Sequence, residues 1–377
     1  TVTSPFLNGI PATNSSTGDV RIEFYAAIRT PEPFLPAGTV IAREQTYVHT
    51  FHKEDAPKQA FAGSEEDDRQ VVFSGPHFKA TFDKQSGLLT SYLYKKHEYI
   101  LNGQGPRPFF WRAPTDNDYG ANLPVRLKAW KEASYQEPKA ESFQVTPGSN
   151  ATTVKVTYHF PQTDARWDIT YKIYANGVIK VDNRFVAEGD QASMIPRVGL
   201  RMQLQKIFTD LTYYGRGPKE NYRDRRTSQF IGEYTIPLKD MYEPYVRPQE
   251  NNHRTDIYWC ALTDKTQRGL LLIADRTFEL NASNYPLESM DSGDTIDNGA
   301  PRTEKTHHRH LTDPLPEKMV DLFIDYRMMG VGGDDSWGAT AHEPYLIRPG
   351  KENAIEYGFS LVPFDKKEDY KYLIQQY

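Results

Sequence analysis

Carboxylates, histidines and one tryptophan set among glycines are the residues of this chain best suited to chemistry, and they fall in four short segments. The first is Arg112-Ala113-Pro114-Thr115-Asp116-Asn117-Asp118-Tyr119-Gly120. Asp and Asn side chains bond nearby backbone N–H groups, which makes a rigid, self-bonded loop; Asp116 and Asp118 could instead hold a cation. The second runs from Tyr214 to Arg225 and carries Gly215, Gly217, Pro218, Glu220 and Asn221. It has no Gly-Lys-Ser/Thr ending and Pro218 removes a donor, so it is not a phosphate loop. Glu220 and Glu250 could form a glycosidase acid/base pair, although a chain with 50 acidic residues offers many such pairs. The third is His307-His308-Arg309-His310, where His307 and His310 have a metal-ligand spacing. Cys260 is the only thiol, so a structural zinc site is disfavoured and a surface or hydrogen-bonded role fits better. The fourth is Met329-Gly330-Val331-Gly332-Gly333-Asp334-Asp335-Ser336-Trp337-Gly338. Its glycines free the backbone and its aspartates pin it, which gives a rigid loop presenting Trp337. An exposed, immobilised indole stacks on the apolar face of a sugar; the other reading is a tryptophan that fills the core.

These segments must be held by strands. Val154, Val156, Tyr158 and Phe160 alternate at period two, as do Trp167, Ile169, Tyr171 and Ile173. Asn176-Gly177 then predicts a hairpin into Val178–Val181. Further strands are expected at 77–82, 88–94, 198–204, 257–262, 268–274, 320–326 and 354–362. One helix is expected near 122–133, with Asn122 as its cap, Pro124 in its first turn and Leu123, Leu127 and Trp130 on one face. Many strands, one helix and frequent Gly/Pro turns predict a large antiparallel sandwich. Ahead of it, 21–28 and 40–48 read as strands, too few to be stable alone. Residues 52–70, with Gly63-Ser64-Glu65-Glu66-Asp67-Asp68, have a linker composition.

The bulk properties exclude several classes. The chain has 377 residues, a net charge of −5 and no basic stripe, so nucleic acid is a poor partner. One cysteine allows no intrachain disulfide. No apolar run approaches the ~18 residues of a membrane span, and no signal peptide opens at Thr1, whose surroundings read as mid-protein sequence. The compartment stays open between cytoplasm and periplasm. Asn14, Asn150 and Asn281 begin glycosylation-type sequons that chance also produces.

In this order, the motifs Arg-Ala-Pro-x-Asp-Asn-Asp-x-Gly, Gly-x-Gly-Pro-x-Glu-Asn-Tyr-x-Asp-Arg, Asp240-Met241-Tyr242-x-Pro244-Tyr245-Val246 and Gly-Gly-Asp-Asp-Ser-Trp resemble the C-terminal domain of the large β-galactosidases of glycoside hydrolase family two. The resemblance covers about Val71 to the end. It implies an all-β fold, a large antiparallel supersandwich similar to galactose mutarotase. It also implies the domain limits: 1–50 as the end of an immunoglobulin-like sandwich, 51–70 as a linker and 71–377 as the supersandwich. In that family the catalytic glutamates and magnesium ligands lie in a central TIM barrel that this chain lacks. The chain is therefore expected to be inactive alone and to work with that barrel in the same polypeptide, in a homo-oligomer acting on terminal β-galactosides. The resemblance assigns Trp337 to stacking on substrate and Gly120 to the start of a loop beside the active site. Magnesium and sodium are implied for the full-length enzyme and no cofactor for this chain; the family sodium site falls at Arg247 and Pro248, where Arg247 replaces an expected aromatic. The alternatives are a separately encoded small subunit, a stand-alone aldose mutarotase using a His and a carboxylate, and a free carbohydrate-binding module.

Overall fold

The computed structural model describes residues 19–49, 63–188, 193–293, 310–335, 338–350, 354–366 and 370–376. The chain forms two compact units, Thr1–Pro57 with Lys371–Tyr377, and Lys58–Tyr370. The first contains an antiparallel ribbon of β1 (Val20–Ala27) and β2 (Val40–His49), as the sequence predicts. Phe24, Tyr25, Ile41 and Tyr47 on this ribbon are more than half exposed.

The second unit is nearly all β. Its first sheet is antiparallel, in the order β3 (Gly63–Glu66), β4 (Gln70–Ser74), β5 (Phe78–Asp83), β6 (Leu89–Tyr94) and β7 (His97–Glu98). The expected linker therefore already enters the sheet at Gly63. Gly63–Glu66 is a fully exposed edge strand, and charged edges resist pairing with other chains, which is why its composition reads as linker.

The larger sheet holds β8 (Arg107–Phe109), β9 (Ser142–Thr146), β10 (Thr152–Phe160), β11 (Ala165–Ile173), β12 (Ile179–Ala187), β13 (Arg197–Gln205), β14 (Asp210–Gly217), β15 (Phe230–Pro237), β16 (Arg254–Thr263), β17 (Gly269–Ser283), β18 (Met319–Met328) and β19 (Ile355–Phe364). The alternation read from the sequence is real. Val154, Val156, Trp167, Ile169, Tyr171 and Ile173 are all fully buried, and β11 and β12 form the hairpin predicted at Asn176-Gly177. Four of its strands were not anticipated, β8, β9, β14 and β15; Tyr214-Gly215-Arg216-Gly217 closes β14 rather than forming a loop.

β17 is the pivot of this sheet. Its first part, Gly269–Ala274, pairs with β19, and its last part, Glu279–Ser283, pairs with β18. The sheet forks there. One wing continues through β19, β12, β11, β10 and β9, the other through β18, β13 and β8.

The expected helix is present but broken. α1 (Asp116–Gly120) precedes α2 (Leu123–Arg126) and α3 (Lys128–Tyr135), and α4 (Tyr370–Gln376) comes late in the chain. Asn122 is left-handed, with φ 56°, and its side chain makes no cap bond. Leu127 departs from helical geometry between α2 and α3. The predicted apolar face survives the break: Leu123, Leu127 and Trp130 are buried.

Candidate functional site

Three of the four chemistry-bearing segments, far apart in sequence, meet in one cluster of loops. α1 is the seed. Thr115 caps it by accepting from the Asp118 backbone N–H, and the Asp118 carboxylate accepts from Thr115 N–H in return, a reciprocal capping box. Asp118 also takes two bonds from Arg112, at 2.9 and 2.8 Å. The remaining donors of Arg112 reach the carbonyls of Met329 and Gly330, at 2.7 and 3.1 Å. Arg112 thus ties the first segment to the fourth. Burial works against its charge, but Asp118 outweighs that and holds its pKa above the ordinary value. Asp118 is therefore spent on a guanidinium, not on a metal ion. Asp116 faces Gln249 at 3.1 Å and Arg247 at 3.7 Å.

The second segment joins through Asp224, whose carboxylate accepts from the backbone N–H groups of Val331 and Gly332 at 3.2 and 2.7 Å. Gly330 makes that approach possible, since a Cβ there would lie 2.6 Å from an Asp224 oxygen. Asn117 donates to the Asp335 carbonyl at 3.2 Å. Gly338, at φ +118°, packs so closely on Gly120 and Ala121 that a Cβ would come within 2.3 Å of the Gly120 carbonyl carbon. Gly120 itself is exposed at the end of α1. Trp337 lies outside the described residues, as do His307 and His308; Asp335 and Gly338, on either side of Trp337's position in sequence, are the described neighbours.

Below these loops lies a buried ionic layer. His253 places Nδ1 2.7 Å from Asn281 Oδ1 and Nε2 3.0 Å from Glu279. Glu279 also accepts from Arg223 at 2.5 Å and from Met328 N–H at 2.7 Å. Burial alone would raise the Glu279 carboxyl, but His253 and Arg223 overcome it and hold it below its ordinary value. Arg197 bonds Asn281 at 2.9 Å and lies 3.2 Å from Asp325 and 3.6 Å from Glu250. Burial pushes the Asp325 carboxyl up to about 7, and Arg197 offsets only part of this. His253, Glu279, Arg197 and Asp325 did not stand out in the sequence, and Glu250 and Asn281 stood out for other roles. The available signal was Glu279 and Asn281 alternating with Phe278 and Leu280, polar residues on a strand whose apolar face is equally strong.

The tempting glutamates have structural partners. Glu220 accepts from Arg225 at 2.5 Å, from Asn252 N–H at 2.7 Å and from the Tyr245 hydroxyl. Glu250 is buried and accepts from Asn281. His310 is exposed, 3.5 Å from Asp313. Of the other histidine–carboxylate pairs among the described residues, His253 with Glu279 is fully buried and spans no open pocket, and His342 with Asp334, at 2.8 Å, is exposed on the loop surface. Asn281, a sequon residue, is buried within the same layer. Among the described residues no group of three or more His, Cys, Asp or Glu side chains could hold a metal ion, and no helix is long and apolar enough to cross a membrane. At the position the resemblance gives to sodium, the Arg247 guanidinium sits 4.2 Å from the centre of the Tyr119 ring. A cation already occupies that place, so a sodium site does not fit.

Known proteins agree with the motif pattern. The β-galactosidase small chain family model matches residues 74–361. A β-galactosidase of Priestia megaterium is 32% identical over 283 residues, covering 75% of this chain and 26% of that one. A β-galactosidase of Streptococcus thermophilus is 28% identical over 338 residues, 88% of this chain and 31% of that one. The chain therefore spans about a quarter to a third of the length of these relatives. Among solved structures, the GalM/aldose epimerase homologue of C. elegans aligns with a TM-score of 0.38 and 8% identity, over 81% of this chain and 99% of that one. With the family model spanning most of the sandwich and the motif loops inside it, the chain belongs to the β-galactosidase small chain family.

Proposed function

We propose that this chain is the C-terminal part of a glycoside hydrolase family two β-galactosidase and that it completes the active-site rim of a catalytic barrel carried elsewhere in the polypeptide. The observation that carries this reading is the convergence of Arg112, Asn117 and Asp118 with Asp224, Gly330, Asp335 and Gly338. A sandwich has no need to tie three distant loops so tightly; a surface that must present one side chain in a fixed pose does. Trp337 is the side chain we assign to that pose, stacking on the apolar face of galactose, and we assign Gly120, on which Gly338 packs, to the same rim. The relatives named β-galactosidase carry the matched region as the smaller share of a longer chain, which favours a C-terminal part over a separate subunit.

Retaining hydrolysis needs two carboxyl groups about 5–5.5 Å apart across the bond. The carboxylates of this cluster are instead bound to Arg112, Arg223 and backbone N–H groups. Magnesium, which the family resemblance implies for the parent, we assign to the barrel. The test is hydrolysis of a nitrophenyl galactoside. The purified chain should show no turnover, and adding the catalytic remainder should restore it. Turnover that follows the chain through repurification overturns the proposal.

A further inference from the structure

The fork in the large sheet opens a cleft of about 800 Å³ that the rim does not use. β17 pairs with β19 up to Ala274 and with β18 from Glu279 onward, so Asp275, Arg276 and Thr277 have no ladder partner in either wing. These three form the head of the cleft. Tyr326 and Arg327 of β18 make one wall, and Tyr357 of β19 with the outward faces of β12, β11 and β10 makes the other. The volume lies within the range of small-molecule sites and far exceeds what a simple anion fills.

The charges in this cleft are unevenly satisfied. Its carboxylates are answered: Asp182 by Lys172 and Lys180, each at 3.1 Å, Asp275 by Lys180, Asp168 by the Thr157 hydroxyl at 2.6 Å and Glu356 by Arg184 at 3.5 Å. Three of its cations are not. Lys155, Arg276 and Arg327 have no carboxylate within ion-pair distance among the described residues, and Arg327 lies only against the Tyr326 ring, 5.1 Å from its centre. The Arg327 Nε is buried with no hydrogen-bond partner, an arrangement that costs free energy unless a ligand supplies the acceptor. Two tyrosine rings, Tyr326 and Tyr357, stand 6.2 Å apart beside it, and Thr170 and Thr277 add hydroxyls.

We propose that the fork cleft binds an anionic saccharide, a pyranose oligomer bearing carboxylate or sulfate groups, with Arg276, Arg327 and Lys155 holding the anionic substituents and Tyr326 and Tyr357 flanking the rings. Aromatic faces with hydroxyl and carboxylate acceptors suit sugar rings, and guanidinium groups suit planar carboxylates or sulfates. Among the described residues no histidine lines the cleft, so the site binds sugar without the His–carboxylate chemistry of a mutarotase.

The experiment is calorimetric titration of the intact protein with tetragalacturonate, a sulfated galactotetraose, neutral galactotetraose and inorganic sulfate. At least one anionic sugar should bind about tenfold or more tighter than neutral galactotetraose and than sulfate, and added salt should weaken it. Arg276→Ala and Arg327→Ala should each lower that affinity about tenfold and leave nitrophenyl galactoside hydrolysis by the full-length enzyme unchanged. Should Arg327→Ala unfold, the exposed pair Lys155→Ala and Arg276→Ala provides the same reading. Equal binding of the neutral sugar, sulfate binding as tightly as the sugars, binding to none of the four, or affinity unmoved in the variants overturns the proposal. None of these outcomes bears on the rim, whose own test is hydrolysis.

Discussion

The interior of the second unit is built in two ways. Beneath β10, β11 and β12 it is aromatic: the Phe110 ring lies 5.0 Å from Phe160, 5.2 Å from Trp130, 5.4 Å from Phe185 and 5.6 Å from Trp167. Beneath the motif loops it is ionic, with Arg197, His253, Glu279 and Asp325 at most 1% exposed. An aromatic core is specified by volume and area, and it tolerates small rotations of its members. An ionic layer is specified by direction, because each donor left unmatched costs free energy. The difference teaches that stability needs only the first arrangement. The second fixes the loops above it in one register, at some expense in stability.

The largest effects should come from cutting each interior at its centre. Glu279→Ala strips partners from Arg223, His253 and Met328 N–H together, and breaking such a buried pair costs about 3–5 kcal/mol. Trp167→Ala should cost a similar ~3–5 kcal/mol through its cavity. The milder variants separate the two kinds of interior. Glu279→Gln keeps the volume but loses the charge and should still cost about 2 kcal/mol or more, while Trp167→Phe, which keeps a ring, should cost less than Trp167→Ala. Denaturant unfolding measures all four. If Glu279→Gln proves neutral, the ionic layer is held by shape and the comparison fails.

A smaller effect follows from pH. Asp325 has an ordinary value of 3.8 and sits at about 7 in the fold. Between those values the folded state keeps a proton that the unfolded chain has released. Asp325 therefore lowers stability as pH rises through that window, by at most about 1.4 kcal/mol per pH unit. Glu279 acts in the opposite sense: its lowered carboxyl adds stability above its ordinary 4.5, and that is lost as pH falls below it. Asp325→Asn cannot titrate, so its stability relative to the parent should climb from about pH 4 to 7 and then level off. A constant difference across that range refutes the assignment.

The aromatic half of this comparison was legible in the sequence and the ionic half was not. Period-two alternation at Val154–Phe160 and Trp167–Ile173 is a local signal, and the strands follow it. The motif segments announced rigid loops through Gly, Asp and Asn, but what holds them rigid is mostly distant. Arg112 reaches 217 residues ahead to Met329, and Asp224 reaches 107 residues to Val331. Spacing along a chain carries no information about such pairs. The fork in β17 escaped for a related reason, since a strand that changes partner midway reads as one long apolar run broken by Asp275-Arg276.

The smallest predicted effect on stability is also the most specific to the rim. Gly338→Ala places a methyl group 2.3 Å from the Gly120 carbonyl carbon and forces an L residue to φ +118°. Strain of this kind costs about 1–3 kcal/mol, and a loop relieves part of it by shifting, so unfolding should show a loss of about 1 kcal/mol. The shift itself separates the two loops that meet there. If Gly120 and the Gly338 loop jointly present the sugar-stacking side chain, KM for a galactoside should rise in the full-length enzyme more than kcat falls, because stacking serves ground and transition states alike. Gly103→Ala is the matched control. Its φ is +74°, but the nearest atom to a new Cβ, in Thr90, is 3.7 Å away. It carries backbone strain without a clash, and it lies outside the motif cluster. It should therefore cost stability and leave KM alone. Equal KM values for the two variants would mean that Gly338 serves only the fold.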